Sequence, residues 1–287
     1  MNSIPISTSL SIGVSTNYYS RRQMFKLNDF QAYKQNDKKI SMVTAYDYFS
    51  AKIVAESGID TILVGDSLGM VFAGNENTIS VTVDDMIYHA KAVKNGAPNS
   101  FIIVDMPFLS YHSTLAKTIK NAGKIIKATN CNAIKVEINS EHTISHVKAL
   151  IDAQIPVIGH IGLTPQSVNI FGGFKIQGKT TDEANKIIGF AHKLVEIGVA
   201  AIVLECIPEQ LAKTITNQIN VPTIGIGAGK YCDGQVLVFH DLLGFEPNKK
   251  YQFVTQYANA YGYLTDALKN YKLDVTQPKL QFIENLG

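Results

Sequence analysis

Cysteine is scarce: the 287 residues hold three, Cys131, Cys206 and Cys232. They are scattered, with no Cys-x-x-Cys spacing, which excludes a thiolate zinc site and a disulfide framework and fits a reducing compartment. No apolar run reaches the roughly 18 residues of a transmembrane helix. Charge of one sign is also missing, since 26 basic residues face 24 acidic ones for a net +2. Nothing therefore points to nucleic acid or to an anionic membrane. No Gly-x-Gly-x-x-Gly follows the first strand candidate, which weakens a dinucleotide-binding reading. The first 22 residues lack acids, are rich in Ser and Thr, and end in Arg21-Arg22. No basic segment precedes an apolar one there, so a secretory signal fits poorly. The expectation is a flexible extension over residues 1–25 of a cytoplasmic protein, with an organellar presequence as the alternative.

What the chain does have is apolar content, 46% against 17% charged, enough for a sizeable core. Short apolar runs recur at Ile40–Ala45, Thr61–Val64, Phe101–Val104, Ala133–Val136, Pro156–Ile161, Ala201–Leu204, Pro222–Ile226 and Val236–Phe239. Each has the length and β-branched content of a buried parallel strand. The segments between them carry helix punctuation. Thr82 and Asp85 open one and Gly96 closes it; Thr180 and Glu183 open another, closed by Gly198. Ile144, Val147, Leu150 and Ile151 mark a third, stopped before Ile155-Pro156. This rhythm predicts an α/β fold, a (β/α)8 TIM barrel in a single domain over residues 26–287. A doubly wound open sheet is the rival. A C-terminal helix is expected at residues 251–271.

The ends of these strands carry polar residues that no core would choose. The second run gives way to Gly65-Asp66-Ser67, the third to Asp105, and the fourth carries Lys135 and ends at Glu137. The fifth contains His160 and the sixth ends at Glu205. Each alone has a plain explanation as a helix cap or a solvated group, but in a barrel all of them face one mouth. Four carboxylates around one lysine repel unless a cation joins them. Oxygen ligands without paired His or Cys favour Mg²⁺ over zinc. Asp66 and Asp105 are the candidate metal ligands, with Glu137 beside or just behind them. Lys135 and Glu137, two apart on a strand, face the same way, so Lys135 can hold a substrate oxygen next to the metal.

Several stretches resemble the ketopantoate hydroxymethyltransferase family: Val43 to Tyr48, Leu63 to Met70, Tyr88-His89 through Gly96-Ala97-Pro98, and Gly159 to Ser167. Asn169 to Gly173, Leu204-Glu205-Cys206 and Ile224 to Gly229 continue the match in order. The resemblance implies a (β/α)8 barrel, a Mg²⁺ site and a large homo-oligomer, a decamer in bacterial members. It implies transfer of a hydroxymethyl group from 5,10-methylenetetrahydrofolate to 3-methyl-2-oxobutanoate, the first committed step of pantothenate biosynthesis. Carried over by position, Asp66 and Asp105 match the metal-binding aspartates, which also meet the chelated substrate, and Glu137 the metal-associated glutamate. Ser67 and Lys135 match the residues that hold the keto acid, and Glu205 matches the proton acceptor. The loop Asn139-Ser140-Glu141 departs from the family by lacking its usual glycines.

The residues suit that chemistry without the resemblance. A keto acid chelates Mg²⁺ through its keto and carboxylate oxygens, and the metal stabilises the enolate formed when a base removes the C3 proton. The base must be a carboxylate free of the metal, and Glu205 remains. A Mg²⁺-dependent lyase or mutase of the phosphoenolpyruvate mutase and isocitrate lyase type is the alternative enzyme, and a non-catalytic keto-acid-binding barrel the alternative class. Other signals are weaker. Gly225, Gly227 and Gly229 either bind phosphate or admit a close neighbour. His142 and His146 read as solvated, and Cys206 as a small buried thiol rather than a nucleophile. His160 either contacts substrate or braces the loop Gly162 to Ser167. That loop, with Phe171-Gly172-Gly173, reads as a mobile lid.

Overall fold

A computed structural model of the protein describes residues 24–248 and 253–277. Eight parallel strands close into a barrel in chain order. They are β1 (Ile40–Thr44), β2 (Thr61–Val64), β3 (Phe101–Asp105), β4 (Ala133–Glu137), β5 (Val157–Gly162), β6 (Ala201–Glu205), β7 (Thr223–Ile226) and β8 (Gly234–Leu237). The ring is shut by β8 pairing with β1, Ile40 opposite Gly234 through Val43 opposite Leu237. The open-sheet alternative is thereby excluded.

The helices, in chain order, are α1 (Leu27–Gln35), α2 (Tyr48–Glu56), α3 (Leu68–Val71), α4 (Val83–Gly96), α5 (Leu115–Thr129) and α6 (Glu141–Asp152). They continue with α7 (Val168–Phe171), α8 (Thr181–Ile197), α9 (Glu209–Gln218), α10 (Phe239–Leu243) and α11 (Ala260–Thr276). Two capping boxes read from the sequence are formed: Thr82 with Asp85 at the start of α4, and Thr180 with Glu183 at the start of α8. Gly198 ends α8 at φ 94°, where only glycine is unstrained. Gly96 serves differently from expected. It is the last residue of α4, and a Cβ there would lie 2.1 Å from the carbonyl oxygen of Tyr48, so it lets α4 pack tightly on α2. No helix among the described residues is long and apolar enough to cross a membrane.

Side chains alternate along each strand, and this alternation builds two cores. Outward residues such as Ile62, Val64, Ile102, Val104, Ile134 and Leu204 pack under the helices. Inward residues such as Ile40, Met42, Phe101, Ile103, Ala201 and Val203 fill the barrel. Its amino-terminal end is plugged by aromatic rings, Phe25 and Phe30 lying 5.8 and 5.4 Å from Phe101 in edge-to-face contact. Each ring buried in this way contributes about 1.5–3 kcal/mol.

Three expectations shift. Of the proposed extension at 1–25, residues 1–23 lie outside the described residues, while Phe25 is packed. The eighth strand begins two residues early, at Gly234, which pairs with Ile40 and leaves room for no side chain, since a Cβ there would sit 2.4 Å from the carbonyl oxygen of Ile40; Phe239 opens α10 instead. The last helix covers Ala260–Thr276 rather than 251–271, with Asn259 capping it through the N–H of Gly262. Phe253, Val254 and Tyr257, within the expected helix, line cavities against the barrel instead.

Candidate active site

The same alternation that fills the barrel places its top layer. Phe101, Ile103 and Asp105 share one face of β3, as do Ala133, Lys135 and Glu137 on β4, and Ala201, Val203 and Glu205 on β6. The polar residues are thus the last inward positions of strands whose earlier inward positions are apolar. They open into a cavity of about 580 Å³ lined by Asp66, Ser67, Asp105, Lys135, Glu137, His160 and Glu205. Every site residue expected from the sequence lines this one cavity. Gly65 stands where a Cβ would meet Ser67 Oγ at 2.8 Å, so the β2 terminus can turn tightly into the cavity.

Burial governs the charges here. Burial, reinforced by the neighbouring Asp105, pushes the Asp66 carboxyl up to about 7. Burial raises Asp105 as well, against the opposing Lys135. Glu137 is pushed well above the usual carboxylate range by burial and then by Asp66. Burial pulls the Lys135 ammonium down, but Asp105, Glu137 and Asp66 outweigh it and hold the group above its ordinary value. Its Nζ lies 3.1 Å from Asp105 Oδ1, yet off the line of a hydrogen bond, so that buried oxygen has no hydrogen-bond partner.

His160, left open by the sequence, is 1% exposed and sits between the acids. Lys135 Nζ donates to its Nδ1 at 3.2 Å. An ammonium has only donors, so the imidazole carries its proton on Nε2, and that atom lies 3.1 Å from Glu205 Oε2. Burial and the Lys135 charge hold His160 well below its usual range, so it is neutral. Glu205 is raised by burial to about 7, with Lys135 opposing.

The sequence missed three supporting residues. Tyr46 O–H and Ser67 Oγ lie 2.8 Å apart and share a hydrogen bond. Gln166 donates to Asp66 from its side chain and to Glu137 from its backbone. Tyr111 donates to Gln166. Tyr46 and Gln166 stood inside the motifs quoted above; nothing in the sequence marks Tyr111.

Several readings are corrected. The loop Gly162 to Ser167 is a wall rather than a lid: Thr164, Gln166 and Ser167 are buried, and Leu163 N–H donates to the carbonyl of Glu205 at 2.9 Å. Gly162 permits this, since at φ 97° a Cβ would come 2.3 Å from that carbonyl oxygen. Only the following stretch stays exposed, with Phe174, Lys175 and Ile176 lining the cavity mouth. His146 is buried instead of solvated, because α6 packs on α5 and Thr118 Oγ1 lies 2.7 Å from its Nδ1; His142 is exposed. Cys206 is half-buried at φ 46°, and burial beside Glu205 pushes its thiol up to about 12, which leaves it unreactive. Gly229 answers to a close neighbour: its Cβ would meet Glu209 Cγ at 2.3 Å. The loop without the usual glycines is held by its own polar groups, Ser140 capping α6 and Asn139 donating to Ser167.

The sequence model of the family described as Ketopantoate hydroxymethyltransferase matches residues 24–280. The chain belongs to the ketopantoate hydroxymethyltransferase family. A 3-methyl-2-oxobutanoate hydroxymethyltransferase of Clostridium botulinum (strain Alaska E43 / Type E3) is 55% identical over 242 residues, 84% of this chain and 88% of that one. One from Thermosipho melanesiensis is 53% identical over 240 residues, 84% and 90% of the two chains. Among solved structures, phosphonopyruvate hydrolase superposes with a TM-score of 0.60 at 13% identity, covering 88% of each chain. A 2,3-dimethylmalate lyase of the PEP mutase/isocitrate lyase superfamily gives 0.57 at 13% identity, covering 91% and 92%. These two share the barrel. The ketopantoate hydroxymethyltransferase relatives share half the sequence as well, so the lyase alternative retains only the fold.

Proposed function

We propose that this protein transfers a hydroxymethyl group from 5,10-methylenetetrahydrofolate to 3-methyl-2-oxobutanoate, giving 2-dehydropantoate, the first step of pantothenate biosynthesis. One observation carries the residue roles: a carboxylate poised near neutrality, Glu205, faces a paired Asp66 and Asp105 across a cavity that also holds a buried ammonium. A pure keto-acid binder has no use for such a base.

The acidic set suits a divalent cation. Among the described residues no three His, Cys, Asp or Glu side chains enclose a metal position. Mg²⁺, however, usually takes one or two protein carboxylates and fills its octahedron with water and substrate. Asp66 and Asp105 would hold it, with Glu137 behind; the excess of buried carboxylates over the single Lys135 ammonium, which faces Asp105 Oδ1, supports this. When bound, the ion would supply Lewis acidity to the oxygens of the keto acid.

The chain's own groups do the rest. Lys135 Nζ and Ser67 Oγ hold the substrate carboxylate, and Tyr46 orients that hydroxyl. Glu205 takes the C3 proton, and the electron pair passes to the keto oxygen as the enolate forms. The C3 carbon bonds to the folate methylene as the first of its two bonds to folate nitrogen breaks; water then adds the hydroxyl as the second breaks, and the C3 proton and the water proton end on the two freed nitrogens. His160, neutral and protonated on Nε2, lies beside Glu205, its Nε2 3.1 Å from Oε2. Phe174, Lys175 and Ile176 line the mouth of the cavity.

The deciding experiment follows the C3 proton of 3-methyl-2-oxobutanoate by NMR in D₂O, with and without Mg²⁺. Loss of the signal only with Mg²⁺, followed by transfer when methylenetetrahydrofolate is added, is the expected result. A folded, Mg²⁺-loaded protein that exchanges nothing would sink the assignment. The same reading places the protein in the cytoplasm as a homo-oligomer, a decamer by family likeness, with residues 1–23 as an extension of a barrel domain whose described part starts at residue 24, since Phe25 packs into the barrel end. Exposed Tyr263, Leu268 and Tyr271 on α11 support assembly, which light scattering tests.

A further inference from the structure

Gln166 is 4% exposed and stands behind the cavity wall. Its side-chain Nε2 donates to Asp66 Oδ2 at 2.8 Å and to the carbonyl of Met106 at 2.9 Å. A carbonyl only accepts, so the amide orientation is fixed, and Oε1 accepts from the Tyr111 hydroxyl at 2.7 Å. The backbone N–H of Gln166 donates to Glu137 Oε2 at 3.0 Å. One residue therefore occupies one oxygen on each of two carboxylates. Asp105 is treated alike from another direction, its Oδ2 accepting the N–H of Asp66 at 3.1 Å. Asp66, Glu137 and Asp105 thus each have one oxygen tied by an N–H, and the second oxygen of Asp105 faces the Lys135 ammonium.

That pattern bears on which ion fits. Ca²⁺ takes six to eight oxygens and readily grips a carboxylate by both, whereas Mg²⁺ demands a small octahedron and one oxygen per carboxylate. We propose that Gln166 is a positioning residue for ion choice: by holding Asp66 and Glu137 each by one oxygen, it confines them to single-oxygen contact and favours Mg²⁺ over Ca²⁺. Tyr111 takes part by satisfying the far side of the amide. The proposal rests on the metal reading at Asp66 and Asp105 given above.

The test measures binding rather than turnover. Mn²⁺ bound to the full-length protein is followed by electron paramagnetic resonance and displaced by Mg²⁺ or by Ca²⁺. Gln166→Met keeps the chain length and the backbone N–H to Glu137 but removes the amide donor. Partners lying behind metal ligands are typically worth 10- to 100-fold in metal affinity, so Mg²⁺ affinity is expected to fall by roughly that factor. Ca²⁺ affinity falls less, because a freed Asp66 can grip it with both oxygens, and the Mg²⁺-to-Ca²⁺ preference drops. Tyr111→Phe, which keeps the glutamine and loosens its orientation, shifts the preference the same way by less, and it decides the matter should Gln166→Met fail to fold. A folded variant with the wild-type preference, whether or not both ions bind more weakly, overturns the proposal. Wild-type protein that binds no Mn²⁺ at all sinks the metal reading beneath it instead.

Discussion

Glu205→Gln keeps the shape of the side chain and removes its basicity, so it separates proton abstraction from substrate binding. The Glu205 side chain is 17% exposed, lies in a cavity with the other acids, and has its pKa raised by burial to about 7. A general base is typically worth ~10²- to 10⁴-fold in rate, about 3–5 kcal/mol of barrier, and the variant should lose that much of the Mg²⁺-dependent C3 exchange. Mg²⁺ affinity should stay near wild type, since the paired aspartates are untouched, and the melting temperature should not fall, since a neutral amide replaces a carboxyl that burial disfavours in its charged form. The pH profile sharpens the assignment. With a base near 7, wild-type exchange rises about tenfold per pH unit below that value and levels above it; bound Mg²⁺ moves the inflection lower, because a nearby cation favours the carboxylate. In Glu205→Gln the inflection disappears. His160 is the rival base 3.1 Å away, but burial and Lys135 hold its pKa well below 6.5. A His160 base would put the inflection far into the acid range and leave it intact in Glu205→Gln. Exchange within a few-fold of wild type in the folded variant refutes the reasoning.

Two further outcomes follow from the same cavity. Tyr46→Phe leaves Ser67 Oγ without its buried partner; a hydrogen bond of this kind contributes about 0.5–1.5 kcal/mol, so KM for the keto acid should rise several-fold with kcat little changed, and steady-state kinetics that show the reverse would remove Tyr46 from substrate positioning. Metal-free protein should lose stability as pH rises. Asp66, Asp105, Glu137 and Glu205 have folded-state pKa values above their unfolded ones, so the fold binds more protons than the unfolded chain. Their contribution is full below about pH 4 and is lost as pH climbs toward the raised values, about 7 for Asp66 and Glu205. Mg²⁺ should therefore raise the melting temperature more at pH 8 than at pH 5, and calorimetry showing equal gains would mean that the ion does not meet these carboxylates.

The fold was legible because its strands are buried on both faces, so short apolar runs separated by capped amphipathic segments mark them unambiguously. Where this signal fails, a backbone need overrides it. At β8 the strand starts with Gly234 and Gln235, which no apolar count detects; Gly234 is there because Ile40 approaches too closely for a side chain. Residues 253–259 carry aromatics that imitate a helix face, yet those rings cover the barrel flank and cavity mouth while the helix waits for the Asn259 cap.

The acids were legible for a related reason. On an inward face such as Phe101, Ile103, Asp105, the change from apolar to charged can only be a strand reaching the barrel mouth, so position on the strand reports position in the site. Gln166 and Tyr111 obey no such period. They reach the cluster from connections after β5 and β3, across 100 residues in the case of Gln166 with Asp66, and a side chain that serves the site from behind a wall leaves the same mark in a sequence as one that merely fills it. Burial is what separates them: an amide this deep is tolerated only when every donor and acceptor is met. Here both donors are met, by Asp66 and the Met106 carbonyl, and the acceptor by Tyr111. The residues that set the geometry of the acids are therefore read from hydrogen-bond closure, whereas the acids themselves are read from strand periodicity.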